Sequence, residues 1–247
     1  MGEKKIALIT GANRGIGFET ARQLGQKGIK VLLGARSEKE GKEAAAKLKE
    51  EGLDVDFLLL DVSNENSQSD AKKFIKENFG RLDILINNAG VNLEGTPGTP
   101  IKPASQTPLE VYRKTFDTNF FNLVALTQKL LPLIKQSDSG RIVNLSSILG
   151  SSTLHADPKS FIYDSKFPAY DISKAAVNSF TIHLAYELKD TPVKVNAVHP
   201  GWVKTNMGGE SAPMEIEEGA KTSVAFALLA DDGPTGKYVH LNEELPW

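Results

Sequence analysis

The sequence predicts an α/β protein built on one doubly wound parallel sheet with helices on both faces. Three observations predict it. Short apolar runs alternate with helix-patterned stretches along the whole chain, the order that places parallel strands between covering helices. The first of these runs ends in a glycine-rich turn that opens a helix, an arrangement suited to holding phosphate. No composition break, linker or run of like charge divides the 247 residues, so residues 1–247 read as one domain.

The elements follow in order. Ile6-Ala7-Leu8-Ile9 is short and wholly apolar, as a strand buried on both faces must be. It runs into Thr10-Gly11-Ala12-Asn13-Arg14-Gly15-Ile16-Gly17, after which Phe18 to Lys27 is patterned as a helix. Glycines there let the backbone approach a pyrophosphate, and the helix start offers free N–H donors. The spacing departs from G-x-G-x-x-G: three residues separate Gly11 from Gly15, and one separates Gly15 from Gly17.

A second strand spans Lys30 to Gly34 and is followed by Ala35-Arg36-Ser37. An acid near this strand end holds a free ribose 2′-hydroxyl, whereas a 2′-phosphate calls for a cation. The acid is missing; Arg36 is present, with Arg14 in the glycine turn. A guanidinium matches phosphate oxygens bidentately, so NADP(H) is expected over NAD(H). Ser37 and Glu40 form a capping-box pair that starts a helix to about Glu51.

The third strand, Val55 to Leu60, ends in Asp61-Val62. Asp61 is placed either to accept from an adenine amino group or to cap the next helix with Ser63. That helix is expected from about Asn66 to Phe79. Strand Ile84-Leu85-Ile86 then ends in Asn87-Asn88-Ala89-Gly90, small and carboxamide residues that admit a ligand or tie strand ends together.

The stretch Asn92 to Pro108 is rich in Pro, Gly and Thr and reads as a surface loop. Leu109 to about Gln136 is expected as a long helix broken near Pro132, with Asn119 inside it. Asn has poor helix propensity, which points either to a local task such as holding a water or to a solvated side chain. Strand Arg141 to Leu145 ends in Ser146-Ser147, and a polar, irregular segment leads on to Tyr170.

Pro168 is placed to open a helix that continues to about Lys189 and carries Tyr170-Asp171-Ile172-Ser173-Lys174. Tyr170 and Lys174, four residues apart, project from one face. A cation held beside a phenol lowers its pKa. Moving it from about 10 to about 7 requires roughly 4 kcal/mol of differential stabilisation. Strand Val193 to Val198, the turn Pro200-Gly201-Trp202-Val203-Lys204-Thr205, a helix from about Ile216 to Leu229 and a strand near Lys237 to Leu241 complete the chain.

Composition sets outer limits. At 40% apolar and 24% charged, with formal net charge −2, the chain has no electrostatic case for nucleic acid or an anionic membrane. It has no cysteine, which fits a reducing compartment. His155, His183, His199 and His240 lack ligand spacing, so no metal is expected. No leader or membrane-length apolar run is seen, and the expected location is the cytoplasm.

Taken together, Thr10 to Gly17, Asn87 to Gly90, Asn119, Ser147, Tyr170-x-x-x-Lys174 and Pro200-Gly201 resemble, in order, the motifs of the short-chain dehydrogenase/reductase family. The likeness runs from about residue 5 onward and implies a Rossmann-type fold. Gly34-Ala35-Arg36, the stretch Asn196 to Met207 and the terminal Pro246-Trp247 are similar to NADPH-dependent carbonyl reductases. The interval from Ser147 to Tyr170 is longer than in many tetrameric members and shorter than in the mammalian carbonyl reductases.

The resemblance implies catalysis by Asn119, Ser147, Tyr170 and Lys174: Tyr170 as proton donor, Ser147 orienting the carbonyl, Lys174 supporting the phenolate and the nicotinamide ribose, and Asn119 holding a relay water. It implies cofactor contacts from Gly11, Asn13, Arg14, Gly15, Ile16, Gly17, Arg36, Ser37, Asp61, Val62, Asn88, Ala89, Gly90, Tyr170, Lys174, Pro200, Gly201, Val203 and Thr205. Ile148, His155 and Trp202 are expected beside Ser147 and Tyr170 in the substrate pocket, with loops 91–108, 148–168 and 202–215 around it. The expected activity is NADPH-dependent reduction of small-molecule ketones or aldehydes by a monomer or homodimer. The alternatives are a 3-oxoacyl-thioester reductase, an NAD-dependent alcohol dehydrogenase and a non-catalytic dinucleotide sensor.

Overall fold

The computed structural model describes residues 4–96 and 98–247. Residues 1–3, part of the lead into the first strand, and Pro97, in the 92–108 loop, lie outside them. Among the described residues the strands are β1 (Ile6–Thr10), β2 (Lys30–Ala35), β3 (Val55–Leu59), β4 (Ile84–Asn87), β5 (Arg141–Leu145), β6 (Lys194–Val198), β7 (Tyr238–His240) and β8 (Glu243–Glu244). They form one sheet in the order β3-β2-β1-β4-β5-β6-β7-β8. All pairings from β3 through β7 are parallel; β8 folds back antiparallel on β7.

To the expected parallel sheet β8 adds a short antiparallel edge. Tyr238–His240 and Glu243–Glu244 are too close in sequence for a crossover, and a tight reversal yields only antiparallel pairing.

Alternation along β1 builds two cores. Ala7 and Ile9 join a cluster with Leu24 of α1 (Gly15–Gln26), Leu48 of α2 (Glu38–Glu50) and Val224 of α8 (Ile216–Ala227). Ile6 and Leu8 face the other side, with Ile75 of α3 (Glu65–Phe79), Leu130 of α5 (Asn122–Ile134) and Leu184 of α7 (Pro168–Glu187). Successive strand side chains point to opposite faces, so a strand covered on both must be apolar at every position.

Three boundaries differ from the expectations. Helix α1 starts at Gly15 rather than Phe18, because the Phe18 N–H already bonds to the Arg14 carbonyl at 3.3 Å. The long helix is not broken at Pro132, which lies within α5 near its end and removes only one ladder donor. It is interrupted earlier: α4 (Leu109–Phe116) passes through a π-helical turn, Asp117–Phe121, into α5. The segment before Tyr170 is partly regular, with a 3₁₀ turn at Ile148–Gly150 and a short helix, α6 (Ser152–Ala156).

The chain changes direction of travel across the sheet between β1 and β4, and the C-terminal ends of those strands flank the crevice where such sheets bind ligands. Among the described residues no helix is long and apolar enough to cross a membrane.

Candidate active site

The glycine turn after β1 is a cradle whose shape forbids side chains. Gly11 and Gly15 have φ of +63° and +57°, conformations that favour glycine. A Cβ on Gly17 would lie 2.8 Å from the Gly11 carbonyl oxygen and 3.0 Å from the Ala12 Cα, both backbone atoms. The open turn and the start of α1 therefore fit the pyrophosphate of a dinucleotide. Ile16 lies on the first turn of α1, its carbonyl accepting from the Thr20 hydroxyl at 2.7 Å.

Arg14, at the start of α1, and Arg36, just after β2, are exposed, and no ion pair engages either one among the described residues. Two free guanidinium groups beside a strand end suit a 2′-phosphate. Ser37 accepts from the Glu40 N–H at 3.3 Å and caps α2, while Asn13 donates to the Glu40 carboxylate at 3.0 Å. Asp61 accepts from both the Ser63 N–H and hydroxyl, at 2.9 and 2.7 Å. The cap of α3 is instead Asn64, which accepts from the Ser67 N–H. Val62 packs against the core beneath, with its carbonyl held by Gln68.

The end of β4 is fastened to the glycine turn. Asn88 donates to the Thr10 carbonyl at 2.7 Å, and the Thr10 hydroxyl receives the Asn88 and Ala89 N–H groups. Asn87 bonds across to Asn144 on β5 at 2.8 Å. Gly90 passes close to Asn119 and Lys174, where a Cβ would meet the Asn119 Oδ1 at 3.3 Å and the Lys174 Nζ at 3.6 Å.

Asn119 is fully buried, not solvated. The π-turn directs it inward; it accepts from the Val91 N–H at 2.8 Å and donates to the Val91 carbonyl at 2.9 Å and the Ser173 hydroxyl at 3.0 Å. Both of its polar atoms are thus spent on fixing the chain after β4 to the helix that carries Tyr170. π-turns within α-helices recur at functional sites.

Ser147, Tyr170 and Lys174 meet at the C-terminal ends of β5 and β6, all three buried. Ser147 follows β5, and its carbonyl receives the Tyr238 hydroxyl. Tyr170 is the third residue of α7, opened by Pro168 as expected. Lys174 lies one turn on and donates to the Leu145 carbonyl at 2.7 Å.

The electrostatics reverse one expectation. Burial pushes the Tyr170 phenol up to about 12, against a lowering hydrogen bond with Ser147 and with a further raising effect from Asp171. Burial brings the Lys174 ammonium down to about 8. Lys174 stands 5.7 Å from the Tyr170 ring centre and is drawn to a backbone carbonyl, so dehydration outweighs the cation in setting the phenol.

The three residues expected on the substrate side differ in how they are held. Ile148 is partly buried in the turn after Ser147. His155 on α6 is tied back: its Nε2 lies 3.0 Å from the Leu149 carbonyl and 3.3 Å from the Asp171 carboxylate, and Lys166 lies 3.0 Å from its Nδ1. Burial and Lys166 push the His155 imidazole pKa down. Trp202 is 43% exposed, its indole N–H donating to the Gly208 carbonyl at 2.7 Å.

Pro200 and Gly201 follow β6, with Gly201 at φ +94°. Val203 is buried. Thr205 reaches the glycine turn: a Cβ on Gly15 would lie 3.7 Å from its methyl. The cradle, the carboxamide strand end, the buried hydroxyls and the 200–205 turn therefore surround one crevice.

A family model described as short chain dehydrogenase matches residues 5–216. The chain belongs to the short-chain dehydrogenase family. Its similarity to individual members extends over nearly the whole length. (+)-Neomenthol dehydrogenase of Capsicum annuum is 33% identical over 304 residues, covering 97% of this chain and 96% of that protein. Carbonyl reductase [NADPH] 1 of Mus musculus is 34% identical over 282 residues, covering 99% of each. The structure of salutaridine reductase from Papaver somniferum superposes with a TM-score of 0.81 at 32% identity, over 95% of this chain and 99% of that one.

Four residues of this short-chain dehydrogenase's site escape a reading of the sequence. Ser173 sits inside the Tyr170 to Lys174 motif and anchors Asn119; its spacing of three from Tyr170 is a usable signal. Asp171 is an acid in a first helical turn, a weak signal. Burial first, then Glu94, raise its pKa to about 8, against the lowering Phe167 N–H bond. Glu94 and Tyr238 carry no signal, because their partners, Tyr170 and Ser147, are 76 and 91 residues away.

Proposed function

We propose that the chain is an NADPH-dependent carbonyl reductase that turns small-molecule ketones or aldehydes into alcohols. The observation that carries this reading is the convergence of Ser147, Tyr170 and Lys174 at the strand ends that also hold the glycine cradle. The NADPH named for the mouse relative and the reductase activities named for the others support it, as do the two exposed guanidinium groups, Arg14 and Arg36.

Bound NADPH would supply the hydride. The chain's own residues do the rest. The glycine turn and the start of α1 hold the pyrophosphate, Arg14 and Arg36 take the 2′-phosphate, and Asp61 faces the adenine end. Ser147 donates to the substrate oxygen and orients it. Tyr170 hands its proton to that oxygen as negative charge develops there.

A phenol at about 12 is fully protonated at neutral pH, the state a donor needs. An alkoxide is about as basic as hydroxide, the conjugate base of water (pKa about 15.7). Proton transfer from Tyr170 is then downhill by roughly 4 pH units, about 5 kcal/mol, without any lowering of the phenol. Lys174, charged at neutral pH, stabilises the phenolate left behind. The buried carboxamide of Asn119 keeps the chain after β4 in register with α7.

The reading takes residues 1–247 as one reductase domain, with loops 91–108, 148–168 and 202–215 bounding the substrate mouth and Ile148, His155 and Trp202 on its walls. It includes a monomer or homodimer in the cytoplasm, the cysteine-free composition being the observation behind the location. The test is turnover of a panel of aryl ketones, diketones, oxoesters and acyl-carrier thioesters with NADPH and with NADH. Ketone reduction with NADPH preferred is the expected result. Preference for thioesters or NADH, or binding of NADPH without turnover, would displace the reading.

A further inference from the structure

The helix that carries Tyr170 begins without a cap of its own. Its N-cap is Phe167, which has no side-chain acceptor, and its first residue is Pro168, which has no N–H. In α2 and α3, though not in α1, α4, α5 or α8, a local side chain fills that role: Ser37 accepts from Glu40 and Asn64 from Ser67, each three residues on. On α7 the equivalent donor, three residues past the cap, is the N–H of Tyr170 itself. It bonds at 2.8 Å to Glu94 Oε2, a carboxylate from the loop after β4 that is 76 residues away.

Glu94 is itself held. Its N–H donates to the Asn92 side chain at 3.0 Å, and its other carboxylate oxygen is buried with no hydrogen-bond partner among the described residues. Among the described residues its one polar engagement through the side chain is therefore the Tyr170 N–H. Around it stand Asp171, whose carboxylate accepts from the Phe167 N–H at 2.9 Å, and Tyr112 on α4; burial first, and the charge of Glu94 after it, raise the pKa of both.

We propose that Glu94 is the positioning residue for Tyr170: the 91–108 loop supplies the missing cap of α7 and so sets where the phenol stands over the substrate. This rests on the carbonyl reductase reading and adds to it a link between substrate loop and proton donor. Charge-assisted acceptance by a carboxylate is the strong form of such a cap. Small displacements of a reacting group lower rates steeply, by about a hundredfold for 1 Å.

Glu94→Ala, Glu94→Met and Glu94→Gln test it in the full-length chain. Met keeps most of the volume and removes the acceptor; Gln keeps an acceptor oxygen. Ala and Met are expected to lower kcat about tenfold or more, with NADPH affinity by fluorescence titration within about threefold of the parent. Gln is expected to recover most of the rate. In the free protein, amide hydrogen exchange of the Tyr170 N–H is expected to speed up in Ala and Met and to stay slow in Gln. Unchanged exchange or unchanged kcat in Ala and Met overturns the proposal, as does equal loss in Gln and Met. Should Ala fail to fold, Met against Gln decides. A parent chain that reduces no ketone would sink the functional reading instead, and exchange alone would then judge the cap.

Discussion

The Lys174 ammonium donates at 2.7 Å to the Leu145 carbonyl while standing 5.7 Å from the centre of the Tyr170 ring. It is thus anchored to the strand end first and acts on the phenol from one turn away. Removing the phenol hydroxyl leaves this anchor in place. Tyr170→Phe should therefore bind NADPH within a few-fold of the parent and lose about 10²- to 10⁴-fold in carbonyl turnover. Stopped-flow or steady-state loss of NADPH absorbance reads it; undiminished turnover removes Tyr170 as the acid.

On the proposed mechanism the same two groups set the pH dependence. Tyr170 donates when protonated, which holds up to about pH 12, whereas Lys174 helps only when charged, which holds below about pH 8. Reduction, read as kcat/KM, should be level at neutral pH and fall as pH rises through about 8; alcohol oxidation, which needs the phenolate, should instead rise toward alkaline pH. Asp171 titrates near the same value. If Lys174 governs the limb, it persists in Asp171→Asn.

Asp171 also links pH to stability. Its carboxyl is raised from an ordinary 3.8 to about 8, so the native state prefers the proton. That preference contributes fully below about pH 4 and is lost as pH rises through about 8, with a slope approaching 1.4 kcal/mol per pH unit at most. Asp171→Asn, which cannot ionise, should raise Tm relative to the parent, by more at pH 8 than at pH 5. At about 2–4 °C per kcal/mol for a domain of this size, calorimetry resolves the difference. An equal or lower Tm at pH 8 would contradict it.

On the proposed reading, cofactor choice turns on the exposed Arg36 beside the end of β2. Arg36→Asp removes a phosphate partner and adds the acid that suits a free ribose hydroxyl. A charged hydrogen bond contributes about 1.5–3 kcal/mol, so the NADPH-to-NADH ratio of kcat/KM should fall by about 10- to 100-fold. An unchanged ratio would place the phosphate contact elsewhere, with Arg14 the next residue to vary.

Gly17→Ala tests the cradle. The added Cβ meets backbone on two sides, at 2.8 and 3.0 Å, and neither neighbour can swing away. Both NADPH affinity and Tm should drop. Gly28→Ala is the contrast: that glycine has open space but φ +80°, so it should lower Tm through backbone strain while leaving NADPH affinity intact.

Much of the architecture was legible because its signals are local. The apolar runs became β1 to β6, Pro168 opened α7, and Ser37 capped α2. Gly11 and Gly15 of the glycine turn took left-handed conformations open to glycine. Where a signal needed knowledge of distant neighbours, local reasoning failed. Pro132 looked like a break and lies inside a helix, while the real irregularity is the π-turn that turns Asn119 toward Val91 and Ser173. His155, expected beside Ser147 and Tyr170, also lies against the Leu149 carbonyl, Asp171 and Lys166, contacts that no local pattern announces.

By itself the sequence determined the strand and helix pattern, the glycine-rich turn after β1, the cation in place of an acid after β2, and the pairing of Tyr170 with Lys174 on one helix face. Each depends on residues within a few positions of one another, where backbone geometry alone dictates the outcome. Only the tertiary structure decided how wet the site is and what holds it. Burial made the phenol a weaker acid despite the nearby lysine, and folding brought Glu94 from a remote loop to the start of α7. Desolvation and long-range hydrogen bonds are sums over neighbours that only the folded chain assembles.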